Sequence, residues 1–90
     1  MPRIVIVAGI EDATKWEEGF RSHGELFKKQ TVTTCHYTVR DDEVAACFEA
    51  DDLDTYMRIL NSPETEKAMA HDGIKRDTVK IFTLDNQFTP

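Results

Sequence analysis

Ninety residues suffice for one domain and are too few for two, so residues 1–90 are read as a single domain with one shared core. Hydrophobic residues at 40% and charged residues at 31% give a globular composition and exclude a disordered chain. The net charge of −6, with Arg3, Lys28, Lys29 and Lys80 forming no basic stripe, argues against nucleic acid and an anionic membrane as partners.

The first element in chain order is Arg3 to Ile10, β-branched and nearly continuously apolar, which predicts a central strand. Its apolar run, Ile4 to Ala8, is far shorter than the roughly 20 residues of a membrane span and has no signal-peptide cleavage pattern. A cytoplasmic location is therefore expected. From Glu11 to Gln30, Ala13, Trp16, Phe20, His23 and Phe27 fall on one face of a helix. Glu11 and Asp12 suit its N-terminal end and Lys28 and Lys29 its C-terminal end. Gly19 and Gly24 weaken that helix by roughly 1 kcal/mol each relative to alanine, and Gly24 is the position for a bend.

Thr31–Arg40 and Glu43–Ala50 are rich in Thr, Val, Tyr and Phe and flank Asp41-Asp42, the pattern of a hairpin. If Arg40 faces Glu43, then Tyr37 pairs with Ala46, Cys35 with Phe48 and Val39 with Val44 on a side that packs under helices. The other side carries Thr34 opposite Glu49 and His36 opposite Cys47, a polar surface that needs water or a partner chain. Without secretory context, Cys35 and Cys47 are expected as reduced thiols.

Asp51 and Asp52 precede Leu53, Tyr56, Met57 and Leu60, which open a second helix. Ser62-Pro63 restarts it after a break near Asn61, and it continues to His71, with Gly73 as a C-terminal cap and Ile74 as its apolar follower. Thr78 to Leu84 is the last strand, followed by a polar tail. The order β-α-β-β-α-β predicts an α+β, ferredoxin-like fold: a four-stranded antiparallel sheet with two helices on one face. The opposite face is left bare and the second strand lies at an edge, so self-pairing is expected.

With Leu60-Asn61-Ser62-Pro63-Glu64 leading to Ala68 and Met69, the chain resembles the dimeric α+β barrel superfamily, near the antibiotic-biosynthesis monooxygenases and stress-responsive barrel proteins. That resemblance implies a homodimer and a ligand pocket between each sheet and its own helices. In haem-degrading members this segment follows a tryptophan and precedes the haem-ligating histidine. Here Ile59 and Met69 take those places, His71 comes two residues late, and the strand-one asparagine is missing from Val7-Ala8-Gly9. The His-Pro-x-His of plant polyketide cyclases reads Ser62-Pro63-Glu64-Thr65. Neither haem chemistry nor that cyclase histidine is expected.

Within the pocket, Trp16, Phe20 and Tyr56 are the candidate ligand-binding residues, and His23 with Tyr37 the candidate catalytic pair. A histidine in an apolar cavity can move a proton near neutral pH, and it can equally be a satisfied core residue. His36, Cys47, Glu49 and Thr34 read as a partly hydrated interior surface rather than a zinc site, because one hairpin lacks the spaced ligand pairs. His71 complements the dipole at its helix end. No metal and no cofactor are expected. The favoured function is a small-molecule-binding or accessory barrel protein holding a small apolar or aromatic ligand. The alternative is a cofactor-free monooxygenase or a cyclase or lyase acting on a small aromatic or polyketide-like substrate.

Overall fold

The computed structural model describes residues 2–90. Its elements are strand β1 (Arg3–Ile10), helices α1 (Ala13–Ser22) and α2 (Gly24–Lys29), strands β2 (Val32–Arg40) and β3 (Glu43–Ala50), helices α3 (Leu53–Leu60) and α4 (Pro63–His71), and strand β4 (Ile74–Leu84). The four strands form one antiparallel sheet in the order β2-β3-β1-β4, with β2 at an edge as the element order requires.

Each predicted helix is two. Asp12 caps α1, its carboxylate accepting from the Lys15 N–H at 2.8 Å, and Asp52 caps α3 through the Thr55 N–H at 3.0 Å. Glu11 therefore lies before the helix. The break in the first helix falls at His23, one residue ahead of Gly24. In the second helix Asn61 closes α3, Ser62 caps α4 and Pro63 occupies its first turn, which is the arrangement the Ser-Pro pair predicts. Gly73 takes φ +75°, the left-handed conformation of a glycine cap.

The hairpin register is as expected: Tyr37 faces Ala46, Cys35 faces Phe48, Val39 faces Val44, His36 faces Cys47 and Thr34 faces Glu49. Asp41 in its turn takes φ +54°, which aspartate tolerates. β4 starts at Ile74, four residues earlier than the alternation suggests. Its pairing with β1 slips between Val7 and Gly9, and the Thr78 hydroxyl accepts the Gly9 N–H at 2.8 Å in place of a ladder bond. That irregularity hides the strand's start from a period-two reading.

The inward side of the sheet supplies Ile4, Ile6, Ala8, Ile10, Val44, Ala46, Phe48 and Ala50 to the core, covered by Trp16, Leu26, Tyr56 and Leu60. The open side departs from the polar surface expected from the hairpin alone. Register places His36, Cys47, Val5 and Phe82 in one row across the sheet, and Thr34, Glu49, Arg3 and Leu84 in the next. β1 and β4 thus lay an apolar strip beside the hairpin's polar residues, with Phe82 and Leu84 half exposed.

Candidate functional site

The space between sheet and helices is largely filled by aromatic rings. Trp16 stacks on Phe20 with centroids 4.6 Å apart, and Phe20 also meets Phe27 and Tyr37 at 5.1 Å each. Such offset and tilted contacts are the favoured geometries for aromatic side chains. What remains is a cavity of about 60 Å³ whose wall includes Trp16, Phe20, His23, Phe48, Tyr56 and Asp72. A cavity that size holds a few waters, whereas a drug-sized ligand occupies roughly 300–1,000 Å³.

Four of the five candidate residues, Trp16, Phe20, His23 and Tyr56, line this cavity together. Tyr37 is not among its lining. Its ring packs against Trp16 and Phe20, while its hydroxyl donates to Glu17 at 2.6 Å and accepts from Arg21 Nε at 2.8 Å. His23 and Tyr37 thus belong to two separate polar groups, His23 with Asp72 and Tyr37 with Glu17 and Arg21. Tyr56 is 1% exposed, and burial, then the nearby thiols, pushes its phenol pKa up.

The principal polar feature of the wall is a pair the sequence did not suggest. His23 Nε2 lies 3.0 and 3.1 Å from the two carboxylate oxygens of Asp72, the C-cap of α4. Asp72 Oδ1 is also 3.1 Å from His71 Nδ1. Asp72 is 3% exposed. Its approach is possible because residue 19 is glycine: a Cβ there would stand 1.9 Å from Asp72 Oδ1. In sequence, Asp72 reads only as an acid beside a capping glycine; no local pattern shows that His23, 49 residues earlier, meets it. The indole N–H of Trp16 is buried and has no hydrogen-bond partner among the described residues. Gln30 and Thr65 complete the polar lining, Gln30 Nε2 reaching Thr65 Oγ1 at 3.5 Å.

On the open face, Glu49 is ion-paired with Arg3 at 3.1 Å instead of joining His36 and Cys47. Cys35 and Cys47 are both free. Cys35 lies on the helix side, where burial and the neighbouring Cys47 push its pKa up to about 11.

Sheet order, paired broken helices and an apolar cavity with an embedded His-Asp pair define a ferredoxin-like α+β domain with a pocket beneath its helices. No family model matches the chain, and no curated protein does. Solved structures do match over nearly the whole length. The cofactor-independent oxygenase SnoaB from Streptomyces nogalater superposes with a TM-score of 0.73 at 16% identity, over 98% of this chain and 94% of that one. A putative antibiotic biosynthesis monooxygenase from Bordetella bronchiseptica gives 0.74 at 7% identity, covering 97% of each chain. Tetracenomycin F2 cyclase from Streptomyces glaucescens, a type II polyketide cyclase, gives 0.66 at 18% identity and covers 98% of each. This chain has the ferredoxin-like fold that these proteins share.

Proposed function

We propose that the protein binds a small apolar or aromatic molecule between its sheet and helices, as one protomer of a cytoplasmic homodimer. The observation that carries this is the composition of the cavity wall: mostly aromatic and aliphatic, with a few polar groups that include the His23-Asp72 pair, and beside them a buried Trp16 N–H without a partner among the described residues. A buried donor left unpaired costs about 1–3 kcal/mol, which a carbonyl or phenol oxygen on a ligand recovers. The cavity must widen to accept such a molecule.

A second reading has support in one feature. Asp72 accepts the Nε2–H of His23, which orients the ring and leaves Nδ1 without that proton, free to take one from an acidic C–H or phenol. That is a cofactor-free oxygenase or cyclase arrangement, and the SnoaB and tetracenomycin F2 cyclase folds accommodate both chemistries. In it Tyr37, held by Glu17 and Arg21 and packed on Phe20, serves from outside the cavity lining.

Trp16 is the single tryptophan, so its fluorescence reports on the pocket directly. Titration with hydroxylated naphthalenes and anthracenes is expected to quench it saturably, and His23→Ala to weaken binding. No saturable change across the set would overturn the pocket reading. Oxygen uptake or product formation lost in both His23→Ala and Tyr37→Phe selects the enzyme; binding without turnover selects the accessory role.

A further inference from the structure

The surroundings of Asp72 are unusual for a carboxylate. Its side chain is 4% exposed, and its ion-pairing partners among the described residues are the two imidazoles of His23 and His71. No lysine or arginine among the described residues lies within salt-bridge distance of it. It also stands at a helix end: Asp72 is the C-cap of α4, while His23 joins two helices, closing α1 and opening α2. Helix C-termini carry negative partial charge, so the end of α4 adds to the buried carboxylate, whereas the ends of α1 and α2 that meet at His23 oppose each other. The local field there favours a cation.

We propose that His23, His71 and Asp72 form a binding site for a borderline divalent transition metal ion, of which Zn²⁺ is the reference case. The three donor atoms, His23 Nε2, His71 Nδ1 and an Asp72 oxygen, all lie within 4.8 Å of one another. Two imidazoles and a carboxylate are a donor set suited to zinc, copper or nickel rather than to calcium or magnesium, which prefer oxygen ligands. A tetrahedral ion with bonds of about 2.1 Å holds its ligands about 3.4 Å apart, so the 3.0–3.1 Å His-Asp separations open by a few tenths of an ångström, and the two ring nitrogens, within 4.8 Å of each other, draw in toward the same spacing. Binding moves the proton of each ring to its other nitrogen, and the ion takes the place of the two N–H groups now aimed at Asp72.

The ligands come from both sides of the cavity wall. His23 and Asp72 line the cavity, whereas His71 is 73% exposed on the outside. The ion therefore sits at the seam with an entry path from solvent past His71. Three protein ligands leave a fourth position for water or a small oxygen donor. This site goes beyond the ligand-binding reading and stands without it. The two meet at His23 and Asp72, since a metal-bound His23 Nε2 is no longer the N–H that Asp72 orients.

The test is a Zn²⁺ titration of chelator-treated, tag-free protein against a chromophoric chelator, with Co²⁺ as a spectroscopic probe of geometry. One ion per chain is expected, with a four-coordinate Co²⁺ absorption band. His71→Ala, an exposed site whose loss leaves the core intact, is expected to weaken binding at least about tenfold, the scale found even for groups that only orient a ligand. His36→Ala, the remaining histidine and on the open sheet face, is expected to change nothing. Failure to bind Zn²⁺ stoichiometrically at micromolar protein, or binding unaffected by His71→Ala, overturns the proposal. So does loss of binding in His36→Ala.

Discussion

Gly19→Ala is a substitution whose direction separates local from tertiary physics. Gly19 lies in the second turn of α1, where alanine is favoured over glycine by about 1 kcal/mol. The new methyl, however, would stand 1.9 Å from Asp72 Oδ1 and 2.6 Å from its Cγ, so the carboxylate must leave its place. Leaving forfeits the contacts to His23 and His71, and hydrogen bonds to a charged group contribute about 1.5–3 kcal/mol. Counted as one such bond, since His71 is largely exposed, and set against the helix gain, this is a net loss of about 0.5–2 kcal/mol, and for a domain of this size each kcal/mol lowers Tm by about 4–8 °C. Urea and thermal unfolding followed by far-UV circular dichroism measure it. In an Asp72→Ala background the same substitution is expected to stabilise, because the remaining Cβ of residue 72 is 3.4 Å away and there is no carboxylate to displace. Gly24→Ala is the control: nothing lies within 4 Å of a Cβ there, and the change is expected to be neutral or mildly stabilising. A Gly19→Ala protein as stable as the wild type would refute the placement of Asp72, and with it the His-Asp pair.

Alkaline pH is expected to destabilise the fold. The Cys35 thiol is raised from 9.0 to about 11 and the Tyr56 phenol is raised too, so the unfolded chain sheds those protons first. The contribution is whole below about pH 9 and declines toward pH 11; for Cys35 it amounts to about 1 kcal/mol after solvent screening, and Cys35→Ala should flatten the decline in urea midpoint. Asp52→Ala removes the cap of α3 and is expected to cost about 1 kcal/mol, read as a lower urea midpoint with an unchanged slope. If the proposed homodimer pairs its open sheet faces symmetrically, Phe82→Lys puts a charge into that pairing twice and forfeits about 3 kcal/mol of burial, over a hundredfold in Kd. The expected outcome is a dimer by light scattering for the wild type and a monomer for the variant; a wild-type monomer at micromolar concentration would refute face-to-face pairing.

The elements that announce themselves in the sequence do so by local chemistry. Asp-Asp between two β-branched runs, Asp52 before Leu53, and Ser62-Pro63 each act within a few residues, and the structure places a turn, a cap and a helix restart there. The break at His23 is less visible because a histidine that ends a helix looks like one on its buried stripe. The open face is legible only in part for a different reason: the hairpin's polar residues fall where the sequence puts them, and only the register of β1 and β4 adds Val5, Phe82 and Leu84 beside them. Trp16, Phe20, His23 and Tyr56 were legible as a stripe and a helix start. Asp72 was not, because its partners come from a distant helix and its room from a missing Cβ at residue 19.

The break at His23 also determines how the cavity can open. Trp16 and Phe20 reach it from α1, Leu26, Phe27 and Gln30 from α2 and its cap, and Thr65, Met69 and Asp72 from α4 and its cap. The His23-Asp72 pair ties the junction of α1 and α2 to the end of α4 across the seam between them. Widening a 60 Å³ space for an aromatic ligand means moving one side of that seam, which the pair resists together with the Gln30–Thr65 contact and the Lys29–Glu64 ion pair. Proton, metal ion and incoming ligand all act on the same two side chains. A ligand that opens the seam separates the donors of the proposed metal site, whereas a bound ion fastens them. Zn²⁺ and aromatic ligands should therefore oppose each other in binding, each weakening the other by the same factor, as linkage requires of any two ligands that favour different states.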